Sequence, residues 1–218
     1  MRKWVSAMLA AGLLAGATSA RAQDETAQAA QDSAATGAER NATYITAEQI
    51  AKVSEAEPIG DRTLKVIDLG YENFAVGIVD RGRTANGRAE QMAQGLELPP
   101  PTPCGEQMDD MPEGGHAGGI THSAQTEGYY IISGGGTLFT DGYIVNGQEY
   151  DLAELNGPTC LGTAHDVTVK TVKVGDVVVV PAGVVHGWID VPDHVRYISF
   201  RPSPGILEAG WTHPAMQD

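Results

Sequence analysis

The sequence predicts an all-β domain, a single jelly-roll β-barrel with a short N-terminal helix and one long loop. About ten short apolar or alternating segments, bounded by glycine-containing turns, have the composition of strands. Four consecutive valines, 177–180, form a β-branched run that Pro181 ends, because proline cannot donate to a sheet ladder. We expect these valines to form a buried strand. With almost no helical pattern and no internal repeat, the chain favours one closed barrel or jelly roll.

The N-terminus has the pattern of a secretory signal peptide. Arg2 and Lys3 precede a short apolar run, and residues 20–22 end in a small-residue cleavage site. We expect cleavage of residues 1–22 before Gln23 and a periplasmic or secreted product. The alternative is an uncleaved anchor, but the apolar run is too short for a stable membrane span.

The charge balance excludes some partners. Loss of residues 1–22 changes the formal net charge from −14 to −17, because that segment holds three basic and no acidic side chains. Such an acidic surface repels nucleic acid and anionic lipid, since phosphate binding needs a basic patch. We therefore expect no nucleic-acid partner, and no membrane association after cleavage. The remaining residues are enough for one domain with a full core.

The first part of the predicted mature chain is a linker and a helix. Residues 23–41 carry no aromatic or branched aliphatic side chain, so they are predicted to be a disordered linker. Thr46 and Gln49 have the spacing of a capping box, which predicts a short helix from about Ala47 to Ser54. Two strand-like runs follow, at 62–69 and 73–79.

A long segment, Asp80 to Gly119, is predicted to be a loop. It holds five prolines and ends in a glycine cluster. Loops of this length inside a compact domain are usually functional or mobile, so we expect a lid over the barrel mouth. Deletion of residues 86–103 should then change ligand affinity.

The strands after this loop are defined by alternation and turns. Ile120 to His122 is predicted to end one strand, and 127–133 to form the next, with Glu127 and Tyr129 on one face. Glycines 134–136 and the Asp-Gly pair at 141–142 are predicted to be hairpin turns. The remaining predicted strands are 137–140, 143–151, 165–172 and 195–201.

A histidine follows the valine run at a rigid position. Gly183 allows a tight reversal after Pro181, and the next short strand places His186 and Trp188 on one face. A side chain that is held stiffly on a strand suits a metal ligand.

Two segments resemble the motifs of the cupin superfamily. The second motif matches at Gly175, Pro181, Gly183 and His186, with Asp190 where the family has Asn. The first matches at Gly114, His122, Glu127 and Gly134, but Ile120 stands where the family has its first histidine. The resemblance spans about residues 63–202 and implies one cupin barrel within a domain at 42–218.

The resemblance implies a metal site. His122, Glu127 and His186 are the expected ligands, and two imidazoles with a carboxylate suit a divalent Fe, Mn, Ni or Zn ion. The alternative is a degenerate cupin that lost its metal with the first histidine.

Other residues are candidates for the same site or for structural roles. His116 is either an additional ligand or solvated, and Gln125 is a weaker additional candidate. Tyr129 and Asp190 are interpreted as proton donor and acceptor or as neighbours of the ligands. Ile120 is a pocket candidate, and Trp188 either lines the pocket or packs in the core. Three further histidines match neither motif and are expected to be structural or at the surface: His165, His194 and His213.

The two cysteines are too few for a disulfide scaffold or a thiolate zinc site. In an oxidising compartment Cys104 and Cys160 could pair, which would contribute up to about 4 kcal/mol in the chain-entropy model. The alternative is two separate thiols.

Function follows from the resemblance only as a class. We expect a metal-dependent enzyme acting on a small molecule, with an oxygenase-type oxidoreductase ahead of a lyase or isomerase. The alternative is a non-catalytic cupin that binds a metal or small ligand, because the fold alone does not decide the reaction. Pairing into a homodimer through an edge strand is expected from the resemblance.

Overall fold

The computed structural model describes residues 41–84, 101–152, 156–203 and 208–217. The predicted signal peptide, nearly all of the predicted linker and residues 85–100 of the predicted lid lie outside these residues. In the part of the chain that the structure describes, no helix is long and apolar enough to cross a membrane.

The described residues form one α-helix, eleven strands and one 3₁₀ turn. In chain order they are α1 (Ala47–Ala56), β1 (Gly60–Asp68), β2 (Asn73–Arg81), β3 (Thr102–Cys104), β4 (His116–His122), β5 (Glu127–Thr140), β6 (Tyr143–Leu152), β7 (Gly157–His165), β8 (Thr168–Lys173), β9 (Val177–Val180), β10 (His186–Asp190), β11 (Val195–Ser203) and the 3₁₀ turn (Pro214–Met216).

The strands join one antiparallel sheet, which agrees with the predicted all-β jelly-roll class. Its order is β1-β2-β11-β5-β10-β4-β7-β6-β3, and β8 and β9 add to β5. The two end strands, β1 and β3, do not pair with each other in the described residues, so the expectation of a closed barrel is wrong. The sheet curves instead around β5, which pairs with β11 and β9 in its first half and with β10 and β8 in its second.

The predicted hairpin turn at glycines 134–136 is wrong, because β5 runs through it. Gly134 has φ +67°, and a Cβ there would lie 1.9 Å from the backbone oxygen of His194. These glycines therefore bend one continuous strand. The predicted turn at Asp141 and Gly142 is present, with φ of 67° and 73°, but β5 and β6 on either side pair with other strands.

Two strands were missed in the sequence, and a third begins earlier than predicted. β7 covers residues between the predicted strands 143–151 and 165–172, and β3 and the start of β4 lie within the long predicted loop. Glycine allows neighbouring strands to approach closely here. A Cβ on Gly162 would lie 2.4 Å from Ile144 Cγ2, and one on Gly119 would lie 2.7 Å from the Ala164 Cβ. The usual β-branched signal is absent where glycine is required by close packing.

The predicted helix α1 is confirmed, together with its capping box. The Thr46 hydroxyl accepts from the Gln49 backbone N–H at 3.3 Å, and the Gln49 side chain accepts from the Thr46 N–H at 2.9 Å. α1 and the 3₁₀ turn bury Val53 and Met216 against Ile78, which covers one end of the outer sheet face.

The valine strand β9 is present, but its predicted burial is wrong for alternate residues. Val177 and Val179 are 67% and 65% exposed, whereas Val180 is buried. β9 pairs with β5, so Val177 lies opposite Tyr130 and shares its outward face. We call the exposed residues here the outer apolar surface: Tyr130, Val177, Val179 and Phe200.

Candidate metal centre

Three predicted ligands meet inside the curved sheet. His122 ends β4, Glu127 begins β5 and His186 begins β10. One ligand atom from each lies within 4.8 Å of the others, and each residue is at most 5% exposed. Glu127 oxygens lie 3.9 Å from His122 Nε2 and 3.5 Å from His186 Nε2.

Local structure explains this convergence. A short turn separates His122 from Glu127, so both lie at the same end of neighbouring segments. His186 pairs with Ile120 of β4 and with Thr140 of β5, which aligns β10 beside both strands. Ile120 therefore lies on the same face as His186, at the position where the family motif has its first histidine.

Hydrogen bonds orient both imidazoles. The His122 Nδ1 lies 2.9 Å from the Thr159 hydroxyl, which donates its own proton to the Gly157 carbonyl at 2.9 Å. Thr159 must then accept from His122 Nδ1–H. His186 Nδ1 lies 3.0 Å from the Val184 carbonyl, which can only accept. In both rings we therefore assign the proton to Nδ1, and the Nε2 lone pair is directed to the shared centre.

The electrostatics keep these ligands in their metal-binding protonation states. Burial is the main cause that lowers the pKa of His122, to about 3, so its ring is neutral. Burial acts to raise the pKa of Glu127, but Arg201 and the two histidines lower it well below its ordinary value. Glu127 is therefore ionised at neutral pH.

Arg201 is a residue of the centre that the sequence analysis missed. It is 1% exposed, and its Nε donates to Glu127 Oε1 at 2.9 Å while its Nη2 donates to Asp61. The available signal was an arginine at an inward position of a strand, in alternation with Tyr197.

Tyr129 also contacts the carboxylate of Glu127. Its hydroxyl donates to Glu127 Oε2, and burial followed by the Glu127 charge raises the pKa of Tyr129 well above its ordinary value. Tyr129 therefore keeps its proton. Its ring lies 4.4 Å, between centroids, from the ring of Tyr197, whose hydroxyl accepts from Arg81 Nε at 3.2 Å.

Gln125, His116 and Trp188 were also candidates for the site, and each has a different environment. Gln125 is buried on the turn between β4 and β5. The His116 ring stacks on Phe139 with centroids 5.6 Å apart, and His116 is not among the three grouped ligands. Trp188 is buried in the core, 6.1 Å from the Tyr197 ring.

Asp190 does not share the ligand-bearing face as alternation predicted. A β-bulge separates Trp188 from Asp190 and breaks the alternation of β10. The Asp190 side chain is exposed and accepts from the Thr84 hydroxyl at 3.5 Å.

Cys104 and Cys160 form a disulfide that joins β3 to β7. The bond passes over β6 at Gly147, where a Cβ would lie 2.7 Å from Cys160 Sγ and 2.9 Å from Cys104 Sγ. The disulfide therefore needs glycine at this position.

The donor set fits a divalent transition-metal ion. Two neutral imidazole nitrogens and an ionised carboxylate are borderline ligands suited to Fe, Mn, Ni or Zn. One possible ligand atom of each buried residue lies within 4.8 Å of the others. The group could therefore bind a metal ion, although this donor set does not select one metal among the four.

Comparisons with known proteins find only weak similarity. No protein-family model and no curated protein sequence matches the chain. A recombinant oxalate oxidase in complex with glycolate is 14% identical, with a TM-score of 0.30 over 68% of this chain and 53% of that chain. Peruvianin-I, a cysteine peptidase from Thevetia peruviana latex, is 13% identical, with a TM-score of 0.30 over 80% and 83%.

The chain therefore spans about half the length of the oxalate oxidase that it matches. The strand pairing of this chain and the meeting of its two motifs indicate the fold. On those grounds the fold is cupin-like.

Proposed function

We propose that this chain is a metal-dependent enzyme that acts on a small organic molecule. The observation that carries the proposal is the orientation of the buried ligands. Thr159 and the Val184 carbonyl each hold an imidazole Nδ1–H, so that both Nε2 atoms face the ionised Glu127. Such supporting hydrogen bonds are typical of histidines that ligate metals.

A metal bound there would act as a Lewis acid or a redox centre. His122, Glu127 and His186 would hold it from three directions and leave other positions for the substrate. Arg201 keeps Glu127 ionised, and Tyr129 holds a proton next to that carboxylate. Tyr129 is therefore placed to hydrogen-bond with a substrate oxygen beside the metal.

The reaction class that we propose first is an oxygenase-type oxidation. Two histidines and one carboxylate would leave coordination positions free for oxygen or substrate, as in many oxygen-activating sites. Lyase and isomerase reactions come next, because they need only a Lewis acid and a proton donor.

A second candidate is a non-catalytic cupin that binds a metal or a small ligand. Ile120 favours it, because this residue shares a face with His186 and cannot coordinate a metal. Turnover of a small molecule by the metal-loaded protein would distinguish the enzyme from this alternative.

The test of the metal site is the metal content of the purified mature protein. We expect near-stoichiometric Fe, Mn, Ni or Zn in the wild type, and its loss in His186→Ala and Glu127→Ala. His194→Ala is the matched control, because His194 is exposed and hydrogen-bonds Ser133 and Asp193 on the surface. Circular dichroism confirms that each variant is folded. A wild type without metal after growth and reconstitution with all four metals would overturn the proposal.

Two further parts of the proposal concern the exported form. Export rests on the signal-peptide pattern of residues 1–22, and mass spectrometry of the exported protein should show Gln23 as its first residue. Pairing into a homodimer is supported by the exposure of Val177 and Val179 on β9. Sedimentation of the mature protein should then give twice the monomer mass.

A further inference from the structure

We propose that the interior beside Arg201 binds water, in a polar site over Gly77 that keeps the guanidinium directed at Glu127. Four buried polar atoms, none with a hydrogen-bond partner among the described residues, form what we call the Gly77 site: Asp61 Oδ1, Thr63 Oγ1, Ser199 Oγ and Arg201 Nη1. The inference concerns the chain without metal and goes beyond the proposed enzyme.

Strand register places the two hydroxyls of the site on either side of Gly77. Thr63 of β1 and Ser199 of β11 both pair with this residue of β2, so the three positions form one row across the inner face of the sheet. Neighbouring strands lie about 4.8 Å apart, which separates β1 from β11 by roughly twice that distance. The hydroxyls do not bond each other, and glycine places no side chain between them.

Arg201 reaches the same row from the next inward position of β11. A Cβ added to Gly77 would lie 3.5 Å from Arg201 Nη1 and 3.7 Å from Ser199 Cβ, so both groups border the space over the glycine. The other two nitrogens of the guanidinium are occupied, because Nε donates to Glu127 Oε1 at 2.9 Å and Nη2 donates to Asp61. Nη1 is therefore the nitrogen that is directed to the Gly77 site.

The mixture of donors and acceptors in the site favours a neutral molecule that can do both. Arg201 Nη1 can only donate, the Asp61 carboxylate can only accept, and the two hydroxyls can do either. An anion would be repelled by Asp61 and a metal ion by Arg201. Water satisfies both kinds of group, because it donates two hydrogen bonds and accepts two.

Burial limits the occupant of the site to a molecule of this size. Thr63, Ser199 and Arg201 are 5%, 0% and 1% exposed, so the fold covers these groups. Buried polar atoms without a partner are destabilising, and proteins usually satisfy them with internal water that makes about three hydrogen bonds. Four such atoms around one glycine are enough to bind water.

The role of the bound water is to position Arg201. It supplies the partner of Nη1, so that all three nitrogens of the guanidinium are held and Nε stays directed at Glu127. Ser199 also lies opposite Tyr129, whose hydroxyl donates to the same carboxylate. The Gly77 site therefore adjoins both of the groups that donate hydrogen bonds to this carboxylate.

Two substitutions of Gly77 test the site in the metal-free mature protein. Gly77→Ala and Gly77→Ser add the same Cβ, 3.1 Å from the Arg62 carbonyl oxygen, so any strain is common to both. We expect the first variant to exclude the water and the second to replace it with a hydroxyl. Gly77→Ser should therefore unfold at a temperature about 2–4 °C higher than Gly77→Ala, the shift for one hydrogen bond in a domain of this size. Equal unfolding temperatures would overturn the site.

Removal of the two hydroxyls tests the positioning of Arg201. Thr63→Val combined with Ser199→Ala should reduce the number of long-lived internal waters, which deuterium relaxation dispersion counts. It should also speed the solvent exchange of the Arg201 Nε–H by about tenfold, because one hydrogen bond of the guanidinium is lost. NMR follows this exchange, and Arg201→Lys identifies the signal. Thr171→Val is the matched control and should change neither measurement, because Thr171 is an exposed threonine on β8.

The outcomes separate this inference from the proposed function, because every measurement uses protein without metal. A crystal structure with water bonded to Arg201 Nη1 would support the site. Direct pairing of Nη1 with Thr63 or Ser199, or an ion in place of the water, would overturn it. Unchanged exchange of the Arg201 Nε–H in the hydroxyl variant would overturn the positioning role. Failure to load metal would overturn the metal centre and leave the Gly77 site standing.

Discussion

The two faces of β5 differ in charge and in exposure. Inward, the strand presents Glu127, Tyr129 and then Ile131, all buried, and it begins with a charged residue. Outward, it presents Tyr130 and Ile132, which are 45% and 37% exposed. The buried face thus carries the charge, and the exposed face carries apolar side chains.

This difference shows that the burial of a side chain on β5 depends more on the groups that contact it than on its hydrophobicity. The inner carboxylate is tolerated because Arg201, Tyr129 and the histidines satisfy it. Among the described residues, α1 and the 3₁₀ turn cover one end of the outer face, and the other apolar side chains of that face are exposed. Each of the following changes tests one side of this contrast.

Removing Arg201 should have the largest effect on stability. In metal-free Arg201→Met, Glu127 and Asp61 would be buried without their cation, and we expect a loss of about 3–5 kcal/mol in the free energy of unfolding. Urea unfolding measures it. Arg196→Met is the control, because its partner Asp80 keeps Arg62 and the expected loss is below about 1 kcal/mol.

The loss of unfolding free energy in Arg201→Met should depend on pH. Arg201 holds the pKa of Glu127 below its unfolded value, so its contribution in the wild type is present above pH 4.5 and is lost as the pH falls through the lower, folded pKa. Without Arg201, burial raises that pKa and acid no longer removes this stabilisation. The difference between the proteins should therefore shrink on acidification. A difference that is constant from pH 7 to pH 3 would contradict the ion pair.

Gly134→Ala should disturb the bend that lets β5 serve both halves of the sheet. The positive φ and the close His194 carbonyl together predict a loss of about 2–4 kcal/mol. Gly128→Ala is the control on the same strand, because its Cβ would only reach ordinary contact, 3.6 Å from the Phe200 oxygen. Equal thermal stability of the two variants would argue against a required bend.

Tyr129→Phe removes one hydrogen bond from the inner face and keeps the ring packing. We expect a loss of about 1.5–3 kcal/mol, since the hydroxyl donates to a charged group. Tyr130→Phe is the outward control and should change the unfolding free energy by less than about 0.5 kcal/mol. Similar effects at the two positions would contradict the contrast between the faces.

The smallest effect on stability is expected at the outer apolar surface. Val177→Thr combined with Val179→Thr should change the free energy of unfolding by less than about 1 kcal/mol, because both side chains are exposed in the described structure. If two copies pair here, sedimentation should show the mutant shifting toward the monomer. The inward pair Val178→Thr and Val180→Thr should instead destabilise the fold. A dimer unaffected by the outward pair would place the interface elsewhere.

The sequence by itself determined the local features of this protein. The capping box of α1, the turn before His186 and the spacing of His122 and Glu127 depend on residues within one short segment. Strand alternation then predicts which side chains share a face, because it follows from backbone geometry alone. The three candidate ligands were predicted together because their positions match the two cupin motifs, which alternation alone would not have linked.

Only the tertiary structure decided which distant groups meet. Arg201 reaches Glu127 across 74 residues, and Arg81 reaches Tyr197 across 116. A glycine was predicted to be a hairpin turn where it bends a strand, and a valine was predicted to be buried where no described element covers it. Pairing, coverage and bending depend on neighbours that are far away in sequence, and no local pattern records those neighbours.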